Sequence, residues 1–496
     1  MAKQCPRSGA CGACQLNGVK YSTQLARKQA FVEEQIGCFG PVAPIIGMEN
    51  PFHYRNKVQS VFGLNSKGEV INGIYRLGTH KLIPIRNCMI EDEEADSILE
   101  TIRTLVKSRG IEPYDEDLGT GALRHVLIRR AVATNQSLVV LVSGSPKFRP
   151  KDSFALEVAR RHPSVKGVLL HLNDEKTSMV LSSNPCKLIW GQPWIEDELC
   201  GLRFRISAKS FYQVNPVQAA RLYTIAMRMA RLSKTDFVVD AYCGTGTIGL
   251  IASKWGAGRI LGIELNPSAV EDARENAALN GVENASFVCG DASEALKALS
   301  RGSFDGVSCF EGFDVSSLPR SADVVFLDPP RSGSDERFLA SVIRLAPKTI
   351  VYISCNAQTL ARDLRCLTTM GPYRMYGAQP VDMFPQTSHV ETCVLLVRER
   401  EEDIDTVSIK VDLEGINIRQ DKQLLPKKPT YEKIKAYVKE KYGFEVTSLY
   451  IAQVKDRMGL EKRANYNIGE GKGAVPHCPP EKEEAIMDAF KHFGMI

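Results

Sequence analysis

An α/β fold built on a doubly wound, Rossmann-like parallel sheet is predicted for the middle of this chain by three observations. Short apolar runs at 236–240, 259–264, 323–328 and 349–354 are separated by stretches long enough to hold helices. The runs are nearly continuous in apolar residues, as in strands covered on both faces, and do not alternate as half-exposed strands do. Glycines and acids gather just beyond their ends, where an open α/β sheet collects its ligands.

The flanks read differently. Residues 1–20 are rich in Cys and Gly, and 21–36 read as a helix ending at Gly37. From 53 to 200 the pattern is short strands and turns, exemplified by 58–62 and 137–142, so a β-rich domain is expected. A charged linker at 399–405 leads to a small α+β domain. There Tyr431, Ile434, Val438 and Tyr442 recur at helical spacing after Pro429-Thr430. A second helix at 446–458, a Gly-rich hairpin at 469–473 and a helix at 480–493 would suit a winged-helix-like appendage. The expected divisions are 1–200, 201–400 and 401–496.

Composition narrows the function classes. In 496 residues, 63 Lys+Arg face 58 Asp+Glu, for a net charge of +5; 44% are hydrophobic and 24% charged. That balance excludes disordered and fibrous chains, and it permits a polyanionic partner without demanding one. No apolar run approaches the ~18 residues of a membrane helix. Met1-Ala2-Lys3-Gln4-Cys5 lacks the apolar core of a secretory signal, so a cytoplasmic location is expected. In that reducing compartment the 14 cysteines read as thiols, metal ligands or nucleophiles rather than disulfides.

The chemistry sits at the strand ends. Asp240-Ala241-Tyr242-Cys243-Gly244-Thr245-Gly246-Thr247 follows the first strand and opens a helix. Such a turn lets backbone approach a nucleoside, and Glu264, closing the next strand, can accept from both ribose hydroxyls. These features alone fit a dinucleotide or S-adenosylmethionine. Asp291, after a strand at 287–289, suits an adenine amino group. Asp328-Pro329-Pro330-Arg331 has no role in a dehydrogenase. Methyltransferases acting on nucleic-acid bases set such a loop between donor and base, stiffened by prolines that fix φ. Carboxylates also make electrostatic sense beside a sulfonium cation. Ser354-Cys355-Asn356 then places a thiol at a strand end. Carbon 5 of uracil is not nucleophilic, but a thiolate added at carbon 6 makes carbon 5 an enolate able to attack a methyl group. A base must afterwards remove the carbon-5 proton, and Glu391, in Ser388-His389-Val390-Glu391-Thr392-Cys393, is the candidate.

In this order, Tyr-Cys-Gly-x-Gly, Asp-Pro-Pro-Arg, Ser-Cys-Asn and His-Val-Glu-Thr-Cys resemble the RNA uracil-5-methyltransferase family. Phe211-Tyr212-Gln213-Val214-Asn215-Pro216, Tyr54-Arg55-Asn56-Lys57, Gly73-Ile74-Tyr75 and Leu123-Arg124-His125 extend the likeness over 5–397. The resemblance implies an S-adenosylmethionine-dependent enzyme making 5-methyluridine, with Cys355 as nucleophile and Glu391 as base. It implies donor contacts from Gln213, Tyr242, Glu264 and Asp328, with Thr247 and Asp291 at further donor-contacting positions. It also implies that helix 21–36 packs on the catalytic domain. A cytosine-5 enzyme would need a group protonating N3, and an amino-group methyltransferase would have no use for Cys355. A tRNA enzyme, or a non-catalytic iron–sulfur RNA-binding protein, are the remaining alternatives; the intact Ser-Cys-Asn argues against the second.

Cys5, Cys11 and Cys14, with Cys88 far downstream, would suit a structural zinc or an iron–sulfur cluster, and spacing does not choose between them. The resemblance does: its ribosomal-RNA branch carries a [4Fe–4S] cluster at this spacing, whereas its transfer-RNA branch lacks the cysteines. The expected partner is therefore 23S ribosomal RNA, with no membrane and no DNA. Many members begin with a small β-barrel RNA-binding domain, but only four residues precede Cys5 here. RNA affinity is expected instead from Arg55, Lys57, Arg124, Arg129 and Arg130, and from 421–463, where eleven Lys/Arg face six Asp/Glu.

Overall fold

Behind a one-turn helix, α1 (Ser8–Cys11), the stretch read as a helix forms α2 (Tyr21–Ile36) and stops before Gly37. Its buried residues Gln24, Lys28, Val32 and Ile36 recur every four positions, which puts them on one face. Two of them are polar, and burying them requires partners. These come from the far end of the chain. Lys28 Nζ meets Asp382 Oδ1 at 2.5 Å and donates to the carbonyl of Phe384 at 3.0 Å. The carboxamide of Gln24 donates to Gln386 Oε1 and accepts from its backbone N–H, each at 3.0 Å. The Tyr21 hydroxyl donates to the other Asp382 oxygen at 2.8 Å. The computed structural model describes residues 4–76, 78–146, 148, 152–316, 318–399, 431–458 and 478–492.

The next elements are β1 (Lys57–Leu64), β2 (Val70–Tyr75), β3 (Leu82–Pro84), α3 (Glu93–Ser108), β4 (Leu123–Ala131), β5 (Gln136–Ser143), α4 (Asp152–Arg161), β6 (Val165–Leu172) and β7 (Cys186–Gly191). The strands form one sheet in the order β3-β2-β1-β4-β5-β6-β7, antiparallel except between β5 and β6. The region expected to be strands and turns thus also holds two helices. In α3, Asp92 caps the N-terminus by accepting from the Ala95 N–H, and Ala95, Ile98, Leu99, Ile102, Leu105 and Val106 bury one stripe. Because α3 and α4 cover one face of this sheet and the hairpin at 194–207 packs on the other, all nine residues of β4 are buried. That overturns part of the expected RNA surface. Arg124 pairs with Glu116 and donates to the carbonyls of Asn173, Glu175 and Thr177. Arg129 donates to the carbonyl of Ser210, and Arg130 pairs with Asp92. These guanidiniums hold loops together and are not offered to solvent. A hairpin, β8 (Trp194–Leu199) and β9 (Leu202–Ser207), follows, and the division proposed near residue 200 falls at its turn.

The second large sheet is built from α5 (Pro216–Ala230), β10 (Phe237–Ala241), α6 (Thr247–Lys254), β11 (Arg259–Glu264), α7 (Pro267–Leu279), β12 (Ala285–Cys289), α8 (Ala292–Arg301), β13 (Val324–Leu327), α9 (Glu336–Leu345), β14 (Thr349–Ser354), α10 (Ala357–Thr369), β15 (Tyr373–Val381) and β16 (Glu391–Arg398). The strand order is β12-β11-β10-β13-β14-β16-β15. The first five are parallel, as their apolar runs predict, and β16 inserts antiparallel between β14 and β15. Alternate residues feed two cores. Val238, Ile260, Phe326 and Val351 pack on one face; Val239, Leu261, Val325 and Tyr352 pack on the other, together with Val32 and Ile36 of α2. Each large apolar side chain buried this way contributes about 1.5–3 kcal/mol.

The chain divides into two compact units, 1–411 and 412–496. In the second, α11 (Tyr431–Tyr442), α12 (Ser448–Arg457) and α13 (Pro480–His492) pack around Ile434, Val438, Ile451, Val454, Ile486 and Phe490. The expected hairpin at 469–473 and the linker beyond 399 lie outside the described residues. Among the described residues no helix is long and apolar enough to cross a membrane. Lys28→Ala should lower the stability of the first unit by about 3–5 kcal/mol in urea unfolding, because Asp382 is left buried without its cation.

Candidate active site

The carboxyl ends of the parallel strands present a row of groups. After β10 the chain turns through Tyr242, Gly244 and Gly246, with φ of 69°, 53° and 79°. Left-handed backbone is strained at a tyrosine, and such strain collects at functional turns. A side chain at Gly244 would meet nothing within 4 Å, so the turn faces open space. Glu264, at the end of β11, accepts from the N–H of Gly244 at 3.1 Å and of Asn266 at 2.8 Å, bracing the turn from below. Thr247 starts α6, with its hydroxyl 3.3 Å from that of Thr245. Asp291 caps α8 through the Glu294 N–H. Asp328 follows β13. Gln213 is buried, and its side chain bonds to Tyr223, which feels the charges of Asp328, Glu391 and Asp240.

Strand register brings Cys355 and Glu391 together. Cys355 lies between the end of β14 and Asn356, the cap of α10, whose side chain accepts from the Gln358 N–H at 3.0 Å. A helix N-terminus favours a thiolate over a thiol. Ser354 of β14 pairs with Thr392 of β16, so the next position along β14 faces Glu391. Burial dominates their electrostatics. It pushes the Cys355 thiol up to about 11, with the charges of Glu391 and Asp328 adding to the effect and Arg331 opposing it. Burial likewise raises Glu391 to about 8, helped by Asp328 and opposed by Arg331, and it raises Asp328 to about 7. Asp240, which accepts from the Gly249 N–H at 2.8 Å, rises to about 8, and its second oxygen has no partner among the described residues. Composition and motif reading did not single out Asp240 as a member of this acidic patch. Its position two residues before a left-handed tyrosine is the signal that could have found it.

In front of Cys355 lies a cavity of about 430 Å³. Arg331, Asn356, Ala357, Ser388, His389 and Val390 form its floor, and Leu16, Arg27, Lys28 and Phe31 form the opposite wall. That wall comes from α2 and the loop before it, and sequence reasoning assigned it no part in the site.

The four cysteines of the N-terminal set converge in part. Cys5 and Cys11 both disfavour ionisation of Cys14, which burial pushes up to about 11, and Cys14 and Cys88 both act on Tyr54. Backbone N–H groups aim at three of the sulfurs: Arg7 at Cys5, Ala13 at Cys11, and Ile90 with Glu91 at Cys88. Hydrogen bonds to sulfur suit thiolate ligands. Among the described residues no group of three or more His, Cys, Asp or Glu is placed to hold a metal ion.

Strand order, the open glycine turn and the acids along the strand ends define a methyltransferase-type doubly wound fold. The crystal structure of Pyrococcus abyssi tRNA (uracil-54, C5)-methyltransferase in complex with S-adenosyl-L-homocysteine shares it, with a TM-score of 0.61 at 24% identity over 77% of this chain and 85% of that one. The family described as tRNA (Uracil-5-)-methyltransferase matches residues 170–399. An uncharacterized RNA methyltransferase of Oceanobacillus iheyensis is 41% identical over 390 residues, covering 77% of this chain and 80% of the relative. Another, of Clostridium acetobutylicum, is 39% identical over 395 residues, covering 78% and 82%. The chain belongs to this family of RNA methyltransferases.

The raised carboxyls carry a pH signature. A carboxyl raised from about 4.5 to about 8 favours folding while protonated, and that contribution is lost as pH climbs through the raised value. Glu391 should therefore reduce the stability of the ligand-free protein between about pH 5 and pH 8, and Asp328 between about pH 4 and pH 7, each by up to about 1.4 kcal/mol per pH unit. Thermal melts should show Glu391→Gln gaining on wild type as pH rises through this window. A gap that does not change with pH would show that Glu391 is not titrating there.

Proposed function

We propose that the protein methylates carbon 5 of a uridine in RNA, using Cys355 as nucleophile and Glu391 as base, with 23S ribosomal RNA as the target. The observation that carries this reading is the β14–β16 register, which sets a strand-end thiol that lines the cavity beside a buried carboxyl. The cavity suits an unstacked, flipped nucleotide, since carbon 6 is out of reach inside a helix. S-adenosylmethionine would supply an electrophilic methyl on a sulfonium, held along the strand ends by Gln213, Tyr242, Thr247, Glu264, Asp291 and Asp328.

The residues then act in sequence. Cys355 gives up its proton to solvent as its sulfur bonds to carbon 6, turning carbon 5 into the nucleophile that would take the methyl group from the donor's sulfonium, which leaves as a neutral thioether. The Glu391 carboxylate removes the carbon-5 proton, the electron pair re-forms the double bond, and the carbon–sulfur bond breaks to release Cys355. Asp328 links the donor to this chemistry. A cation beside it offsets the charge that raises both Cys355 and Glu391, so the thiol ionises more readily when the donor is in place.

For the N-terminal thiols we propose a [4Fe–4S] cluster on Cys5, Cys11, Cys14 and Cys88. Support comes from their spacing, the family likeness and the N–H groups aimed at their sulfurs. Its role would be structural, joining the N-terminal loop to the first sheet.

Two experiments test these readings. Cys355→Ala should abolish methyl transfer to RNA while leaving donor affinity intact. Wild type should form a denaturation-resistant adduct with 5-fluorouridine RNA, because fluorine replaces the proton that Glu391 removes. Glu391→Gln should slow product release by about 10²–10⁴-fold and accumulate that adduct on ordinary RNA; turnover by Cys355→Ala would refute the mechanism. For the cluster, anaerobically prepared protein should contain about four iron and four sulfide per chain, and Cys88→Ser should lose them along with stability. One zinc and no sulfide would overturn the assignment.

A further inference from the structure

Phosphate recognition in front of Cys355 has to come from cations that are free to make it. Arg124, Arg129 and Arg130 are spent on internal contacts, and Lys28 is buried against Asp382. Arg27 is different. It is exposed, lines the cavity, and among the described residues makes no hydrogen bond or ion pair. Phe31 follows four positions later on the same helix face, half-buried against the core and half lining the cavity. A free guanidinium and an aromatic face side by side are what a nucleotide needs: one for its phosphate, one for its base.

We propose that α2 carries a nucleotide-binding subsite, in which Arg27 takes a backbone phosphate of the RNA and Phe31 stacks on a base beside the one presented to Cys355. The subsite rests on the uridine-methylating reading for the identity of the neighbouring base. Its position is held by the neighbours of the two residues: Gln24 and Lys28, each three positions earlier on the adjoining strip of the helix, are fastened to Gln386 and Asp382. Arg27 and Phe31 are positioning residues, removed in sequence from every residue that reacts.

The test measures RNA binding apart from chemistry. Affinity for a short single-stranded, uridine-containing RNA is measured from about 50 to 200 mM salt for wild type, Arg27→Ala, Arg27→Lys, Phe31→Ala and Phe31→Leu. Donor affinity and melting temperature are measured for each protein. Arg27→Ala should weaken binding and flatten the plot of log affinity against log salt by about 0.7, the loss of one phosphate contact, and Arg27→Lys should restore the slope. Phe31→Ala should weaken binding by about five- to a hundredfold with the slope unchanged; Phe31→Leu, which keeps the core packed, should show the same loss. Donor affinity should not change. An unaltered slope in Arg27→Ala, or full affinity in Phe31→Leu, would overturn the subsite. If the binding changes appear while wild type methylates no uridine, the subsite stands and the uridine reading falls.

Discussion

The insertion of β16 between β14 and β15 governs the reactive centre. A sixth parallel strand at that edge would have ended with its neighbours and added one more loop to the same rim. An antiparallel strand instead begins at the rim, so the first residue of β16 is delivered to the position just beyond the end of β14. Glu391 and Cys355 are adjacent for that reason alone. The same insertion buries Glu391 and half-buries Cys355 within reach of the charge of Asp328, and burial raises both groups. The resting site is held short of ionisation, with Arg331 as the cation opposing it at both Cys355 and Glu391.

Much of this was legible in the amino-acid order. The parallel strands announced themselves because both faces of each are covered, which leaves no polar alternation; 259–264 and 349–354 coincide with β11 and β14. The glycine turn, the Asp-Pro-Pro loop and the strand-end cysteine are local patterns and read locally. Glu391 was harder, since its meaning depends on a strand pairing with β14 in the opposite direction; the need for a base named it as a candidate, and the family likeness then implied its role.

What stayed hidden was non-local. Arg27 and Phe31 sit on a helix whose sequence says only that one face is buried; the wall they form exists because Asp382 and Gln386 draw that face onto the catalytic sheet. The basic residues of β4 misled for the opposite reason. Arg124, Arg129 and Arg130 lie in a strand that α3 and α4 help to cover, and an arginine with three carbonyls and a carboxylate around it has no charge to lend. The helix α3 itself carries a cap and a stripe that periodicity could have caught, but it lies in a stretch dominated by strand-like runs.

The contact between Lys28 and Asp382 spans 354 positions, and that separation has a consequence for how the protein is made. Synthesis at about 5–20 residues per second leaves α2 without its partner for on the order of 20–70 s after Lys28 is joined to the chain. During that interval Val32 and Ile36 have no catalytic core to enter and Lys28 has no counter-charge. The first sheet can form in the meantime, since its strands are all present by residue 191. The wall of the cavity is therefore among the last parts of the unit to be assembled, and a chain cut short before residue 382 would lack it.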